Sequence, residues 1–92
     1  MEFLVRIEVA LPADMPAATR AELTAAEFDY GQELRRRGTI TRIWRLPGGL
    51  RNVGVWAARD ATELHNAIAG LPLYPWTTVE VTALAVHPLE EG

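Results

Sequence analysis

The stretch TITRIWRLPGGLRNVGVWA, residues 39–57, decides the fold. Two runs, Thr39–Leu46 and Leu50–Ala57, flank the tripeptide Pro47-Gly48-Gly49. Ile, Val, Thr and Trp suit a pleated, partly buried surface, and Pro-Gly-Gly reverses the chain, so the runs read as a β-hairpin. What lies on each side of this hairpin sets the topology.

Upstream, Phe3–Ala10 alternates: Phe3, Val5, Ile7 and Val9 point one way, Leu4, Arg6 and Glu8 the other. That is the period of a strand. Leu11–Pro16 breaks the pattern and leads into a helix expected from about Pro16 to Arg37, stopped by Gly38. Downstream, Asp60 or Thr62 caps a short helix through Ala69, and Gly70 ends it. A stiff aromatic loop, Leu71–Trp76, then feeds a fourth strand, Thr77–Val86, and a polar tail from His87 to Gly92 that is expected to fray or to dock on a partner.

The order is βαββαβ, an α+β ferredoxin-like unit with a four-stranded antiparallel sheet and both helices on one face. The strands carry apolar residues on both faces. Ile40, Trp44 and Leu46 are read opposite Ile43, Val53 and Val55 opposite Trp56, and Val79, Val81 and Ala83 opposite Leu84 and Val86. A sheet with one wet face alternates more cleanly. The second face is therefore expected to bury against another subunit, making the protein a homo-oligomer.

Composition narrows the function. Ninety-two residues make one domain with a small core, a size at which oligomerisation often adds stability. The net charge of −3 argues against nucleic acid or an anionic membrane as partner. Arg35, Arg36 and Arg37 suit the negative end of the helix dipole and need no nucleic acid to explain them. All nine basic residues are Arg, so no lysine is present for Schiff-base chemistry, and no cysteine for disulfides or thiolate metal sites. The start reads as no secretory signal, and no apolar run approaches the ~20 residues that span a bilayer. A cytoplasmic protein is the expectation.

The first helix carries the most informative residue. At about 100° per residue, Leu23, Tyr30 and Leu34 form a narrow apolar stripe. Glu22, Asp29, Gln32, Glu33 and Arg36 lie opposite. Glu27 stands four residues after Leu23 and three before Tyr30, on the stripe itself. Burial makes a carboxylate costly and raises its pKa toward the range of a general acid–base. A buried ion pair with an Arg from the sheet, or a place at the stripe's wet edge, explains the pattern equally.

Arg45 and Asn52 flank the hairpin turn. Arg45 can hold a carboxylate bidentately or form an ordinary cross-strand pair. Asn52 can donate to an oxyanion or tie off the hairpin end. His65, between Leu64 and Ile68, is a candidate site residue or a satisfied helix histidine. His65 and His87 lack metal-ligand spacing, and no phosphate loop or nucleophile elbow is present. Trp44, Trp56, Tyr74 and Trp76 supply area for packing; of these, Trp44 and Tyr74 are candidates for substrate contact at an apolar pocket walled by the 71–76 loop.

Taken together, these pieces resemble the muconolactone isomerase family. The matching stretches are Leu11–Met15, the helix around Glu27 ending Arg36-Arg37-Gly38-Thr39, Ile43-Trp44-Arg45, Gly48–Asn52, Glu63-Leu64-His65, Leu71–Pro75, Val79-Glu80-Val81 and His87-Pro88, in register over residues 1–88. The resemblance implies ferredoxin-like subunits paired into dimeric α+β barrels, commonly assembled into decamers. It implies a cofactor-free isomerisation of muconolactone to the 3-oxoadipate enol-lactone in catechol degradation by the β-ketoadipate route. In that reaction Glu27 would move the proton, Arg45 would bind the substrate carboxylate, and Asn52 and His65 would orient the lactone or stabilise the dienolate. The sequence departs from its relatives at Thr24, where they resemble one another in carrying lysine, at Phe28, and at Gly49-Leu50. If a lysine binds or polarises the lactone in those relatives, Arg20 or Arg51 stands in for it here, or the substrate differs. A related lactone dehalogenase, a biosynthetic cyclase or isomerase, or a non-catalytic binding module would use the same scaffold.

Overall fold

A computed structural model describes residues 1–91. The chain runs β1 (Glu2–Val9), α1 (Ala17–Arg36), β2 (Ile40–Leu46), β3 (Arg51–Ala57), α2 (Ala61–Ala69), a 3₁₀ turn (Tyr74–Trp76), β4 (Thr77–Leu84) and α3 (Pro88–Glu91). The four strands form one sheet in the order β2-β3-β1-β4, and every neighbouring pair is antiparallel. This is the expected ferredoxin-like arrangement.

Alternation in β1 does what its period predicts. Phe3, Val5 and Ile7 are buried while Leu4, Arg6 and Glu8 face outward. Leu34 of α1, Leu64 and Ile68 of α2, Trp56 and Leu71 close over the buried row. Both helices therefore cover one face of the sheet. The other face is open and presents Leu4, Trp44 and Leu84 to solvent.

Local chemistry sets the ends of the helices. Gly38 adopts φ +78°, a conformation costly for residues with a Cβ, and the Thr39 N–H reaches the Leu34 carbonyl at 2.9 Å across it. Asp60, not Thr62, caps α2, its side chain accepting from the Glu63 N–H at 2.8 Å. Tyr30 ties the helices together by donating its hydroxyl to the Ala67 carbonyl at 2.8 Å. A Cβ at Gly70 would collide with that hydroxyl, which explains a glycine at the end of α2.

Two expectations need correction. The assignment of Ile40 to the same face as Trp44 and Leu46 fails because the β2–β3 register shifts between Ile40 and Arg42. A bulge adds one residue to one strand and so reverses facing beyond it. Ile40 therefore joins Ile43 and Arg45 under the helices, and Trp44 and Leu46 face the open side. At the other end, β4 stops at Leu84, short of the expected Val86, and Pro88–Glu91 within the tail forms a short helix. Gly92 lies outside the described residues.

Candidate active site

Glu27 sits midway along α1, between the partly buried Leu23 and Tyr30, and is itself half-buried. Its Oε1 accepts a hydrogen bond from the Leu73 N–H at 3.1 Å. Among the described residues it has no salt bridge; the ion pairs are Arg36–Glu33, Arg37–Glu33 and Arg59–Glu63. The buried ion pair considered for it is thus absent. Burial raises the Glu27 pKa above its ordinary value, and the Leu73 N–H pulls it partly back.

Glu27 opens onto the space between α1 and the β2–β3 end of the sheet. Two adjoining cavities, of about 200 and 290 Å³, occupy it, and Glu27, Phe28, Arg45 and Asn52 line both. The register explains why two polar strand residues meet there. Arg45 lies directly opposite Asn52, and Asn52 opposite the buried Ile7, so both project toward the helices. One guanidinium nitrogen of Arg45, Nη1, donates to the Arg51 carbonyl at 3.3 Å, and Arg45 forms none of the salt bridges above. The Asn52 Oδ1 is buried without a hydrogen-bond partner.

The other candidates stand elsewhere in the chain. His65 meets the Tyr74 ring edge-on, with centroids 6.5 Å apart. Both line a separate apolar cavity beneath α2, with Leu64, Ile68 and Val79. Trp44 is on the open face of the sheet, where the Arg42 guanidinium lies 4.9 Å from its ring centroid. A single chain thus gathers Glu27, Arg45 and Asn52, and places His65, Tyr74 and Trp44 apart from them. Trp56, read from sequence only as packing area, does reach the site: it lines the larger cavity beside Asn52 and Arg45.

This arrangement combines an unpaired carboxylate, a guanidinium and an unsatisfied amide in one partly apolar cavity. It can bind an anion, hold a polar oxygen and move a proton. Comparison with known proteins points the same way. The family model for muconolactone delta-isomerase matches residues 1–90. The chain belongs to the muconolactone delta-isomerase family.

The muconolactone delta-isomerase of Acinetobacter baylyi is 41% identical over 88 residues, covering 96% of this chain and 92% of the relative. That of Rhodococcus opacus is 39% identical over 85 residues, covering 92% and 91%. A crystal structure of muconolactone isomerase superposes with a TM-score of 0.90 at 38% identity, over 96% of this chain and 92% of that one. A 5-chloro-2-hydroxyhydroquinone dehydrochlorinase from Burkholderia phenoliruptrix superposes with a TM-score of 0.70 at 16% identity, over 92% of this chain and 94% of that one, and shares the fold.

Within this family member, Thr24 and Phe28 line the smaller cavity beside Glu27. Neither arginine considered as a stand-in lines either cavity. Arg20 donates to the Pro12 carbonyl at 3.3 Å, and Arg51 to the Pro47 carbonyl at 2.6 Å.

Proposed function

We propose that this protein is a cofactor-free isomerase that shifts a double bond within a small unsaturated lactone bearing a carboxylate arm, and that muconolactone is its substrate. The observation that carries the reading is Glu27: a half-buried carboxylate with a raised pKa, in no salt bridge among the described residues, and in one cavity with Arg45 and Asn52.

In muconolactone the ring carbon that carries the carboxymethyl arm is acidic through the conjugated double bond. Glu27 removes that proton, and the electron pair delocalises through the ring onto the lactone carbonyl oxygen. The protonated Glu27 then returns a proton to the ring carbon next to the carbonyl. The double bond moves and the 3-oxoadipate enol-lactone results, with no net change in atoms or electrons. Raising the pKa of the carboxylate brings it closer to that of the carbon acid and speeds the transfer. Arg45 takes the carboxylate arm, being a permanent cation with spare donors. Asn52 faces the lactone. His65, Tyr74 and Trp44 take no direct part within one chain and would contact substrate only through a neighbouring subunit.

The same reading places the protein in the cytoplasm, as a homo-oligomer paired through the open sheet face and assembled into a decamer. The exposed Leu4, Trp44 and Leu84 favour that pairing. No helix among the described residues is long and apolar enough to cross a membrane. The test is direct. Purified protein is mixed with muconolactone and the double-bond shift followed by absorbance; turnover is expected, and its absence would sink the assignment.

A further inference from the structure

Among the described residues, two buried polar atoms on residues that line the larger cavity lack partners, and they stand on the same strand. Trp56 is 1% exposed, yet its indole Nε1–H has no hydrogen-bond partner. Four residues earlier, on the same face of β3, the Asn52 Oδ1 is also buried and unpaired. A buried donor or acceptor without a partner costs about 1–3 kcal/mol, and folded proteins rarely leave one without a reason. Two such atoms on residues lining one cavity, beside a candidate base, form a pattern that a ligand explains.

Gly54, between them, shows how the indole is placed. A Cβ built on Gly54 would lie 3.4 Å from the Trp56 Nε1 and 2.8 Å from the Arg42 carbonyl oxygen. The ring therefore lies back along β3, from Trp56 toward Asn52, and carries its N–H to the level of Gly54. Gly54 puts no side chain of its own between the N–H and Asn52. An indole nitrogen is only a donor, so the group that completes it must accept. An amide can present either its oxygen or its NH₂ to a ligand by rotation, so Asn52 can match an accepting oxygen as well.

We infer that the Trp56 indole N–H and the Asn52 amide form a two-donor cradle for the carbonyl oxygen of the substrate, with Trp56 a catalytic residue that sequence reading had left among the packing residues. The inference rests on the proposed isomerase reading, because only proton removal beside a conjugated carbonyl puts negative charge on that oxygen. With the Asn52 amide turned to present its NH₂, the two donors stabilise such charge in a site shielded from water. The cradle selects carbonyl compounds over ethers or alcohols of the same shape.

Two measurements test this. In Trp56→Phe, which keeps an aromatic ring and removes the donor, kcat should fall about a hundredfold while KM changes little. A drop confined to KM, or none, overturns the cradle and fits a trapped water bridging Trp56 to Asn52. The second measurement needs no change at Trp56. The three indole ¹H–¹⁵N resonances are assigned by replacing Trp44 and Trp76 in turn with Phe. The protein is then saturated with the saturated lactone 5-oxotetrahydrofuran-2-acetate, or with tetrahydrofuran-2-acetate, which has the same ring and arm but no carbonyl. The Trp56 proton should move downfield with the lactone and not with the ether; an equal response to both, or to neither, refutes the cradle. The outcomes also separate the two readings. If muconolactone is not turned over but the indole answers the lactone carbonyl, the proposed reaction and the catalytic role of Trp56 fall, and the cradle stands as a carbonyl-binding site. If muconolactone is turned over and neither kcat nor the resonance responds, the cradle falls alone.

Discussion

Glu27 on α1 and Glu63 on α2 are the same side chain on two helices that cover the same sheet face, and their acidities move in opposite directions. Glu63 accepts from the Arg59 backbone N–H at 3.0 Å and from the Arg59 Nε at 2.6 Å, while its own N–H is held by Asp60 at 2.8 Å. The two bonds from Arg59, the backbone one first, hold its carboxyl below the ordinary range. Glu27 has one backbone donor and partial burial, and its pKa rises. The rest of each helix follows its glutamate. The nine residues of α2 bury Leu64 and Ile68 and begin with a capped turn. The twenty of α1 bury only Leu34 and begin at Pro16 with no side-chain cap. One helix is packed for stability, whereas the other leaves part of its inner face lining a cavity.

The sharpest way to break this comparison is to neutralise each glutamate in turn. Glu27→Gln should lower kcat on muconolactone about a thousandfold, the scale of a lost general base, with assembly intact by gel filtration. Glu63→Gln should leave kcat within about twofold. Equal losses in both variants would mean that Glu27 acts through the fold and not on the substrate.

Core truncation should reverse the order. Ile68→Ala on α2 removes a side chain that is 4% exposed and should cost about 2–5 kcal/mol in urea unfolding at fixed protein concentration. Leu23→Ala on α1, where the side chain is only partly buried, should cost clearly less. If the two losses match, α1 is packed as tightly as α2 and the cavity beneath it is not a designed opening.

The same contrast explains what the sequence made legible. The hairpin, the β1 alternation and the βαββαβ order follow from local periodicity and turn chemistry, and all appear in the structure. Glu27 stood out because a carboxylate interrupted an otherwise apolar stripe. Arg45 and Asn52 could be nominated because they flank one turn, and antiparallel register then places them opposite each other. The bulge near Thr41 left no such mark: no glycine or proline signals it, and it moved Ile40 to the other face from Trp44. The separation of His65 and Tyr74 from Glu27 depends on how α2 sits on the sheet, a tertiary fact outside any period. Trp56 was missed because an aromatic strand residue reads as core. Its one local signal is Gly54, two residues earlier on the same face, where a missing side chain lets the ring lie down.

A smaller effect comes from the cap. Asp60→Ala removes the acceptor for the Glu63 N–H and should destabilise the protein by about 1 kcal/mol, seen as a lower urea midpoint with an unchanged slope. α1 offers no equivalent, since its first turn has neither a side-chain cap nor an acidic residue. Activity in Asp60→Ala should hold, because the capped turn does not line the Glu27 cavities.

The smallest expected effect is the most diagnostic, because its sign differs between the helices. Folding raises the Glu27 pKa, so the folded chain holds that proton more tightly than the unfolded one. As pH climbs from below 4.5, the ordinary value, through the raised one, the wild type should lose stability relative to Glu27→Gln. Folding lowers the Glu63 pKa, so its contribution is present above 4.5 and vanishes as pH falls through the depressed value. There the wild type should lose stability relative to Glu63→Gln. Urea midpoints for the three proteins across this acidic range should give two difference curves of opposite slope. The acid limb of kcat/KM should follow Glu27 alone, falling as pH drops through a pKa above the usual glutamate value, and should be unchanged in Glu63→Gln. Two difference curves of the same sign would show that Glu27 is paired in solution, which would remove the basis for treating it as the base.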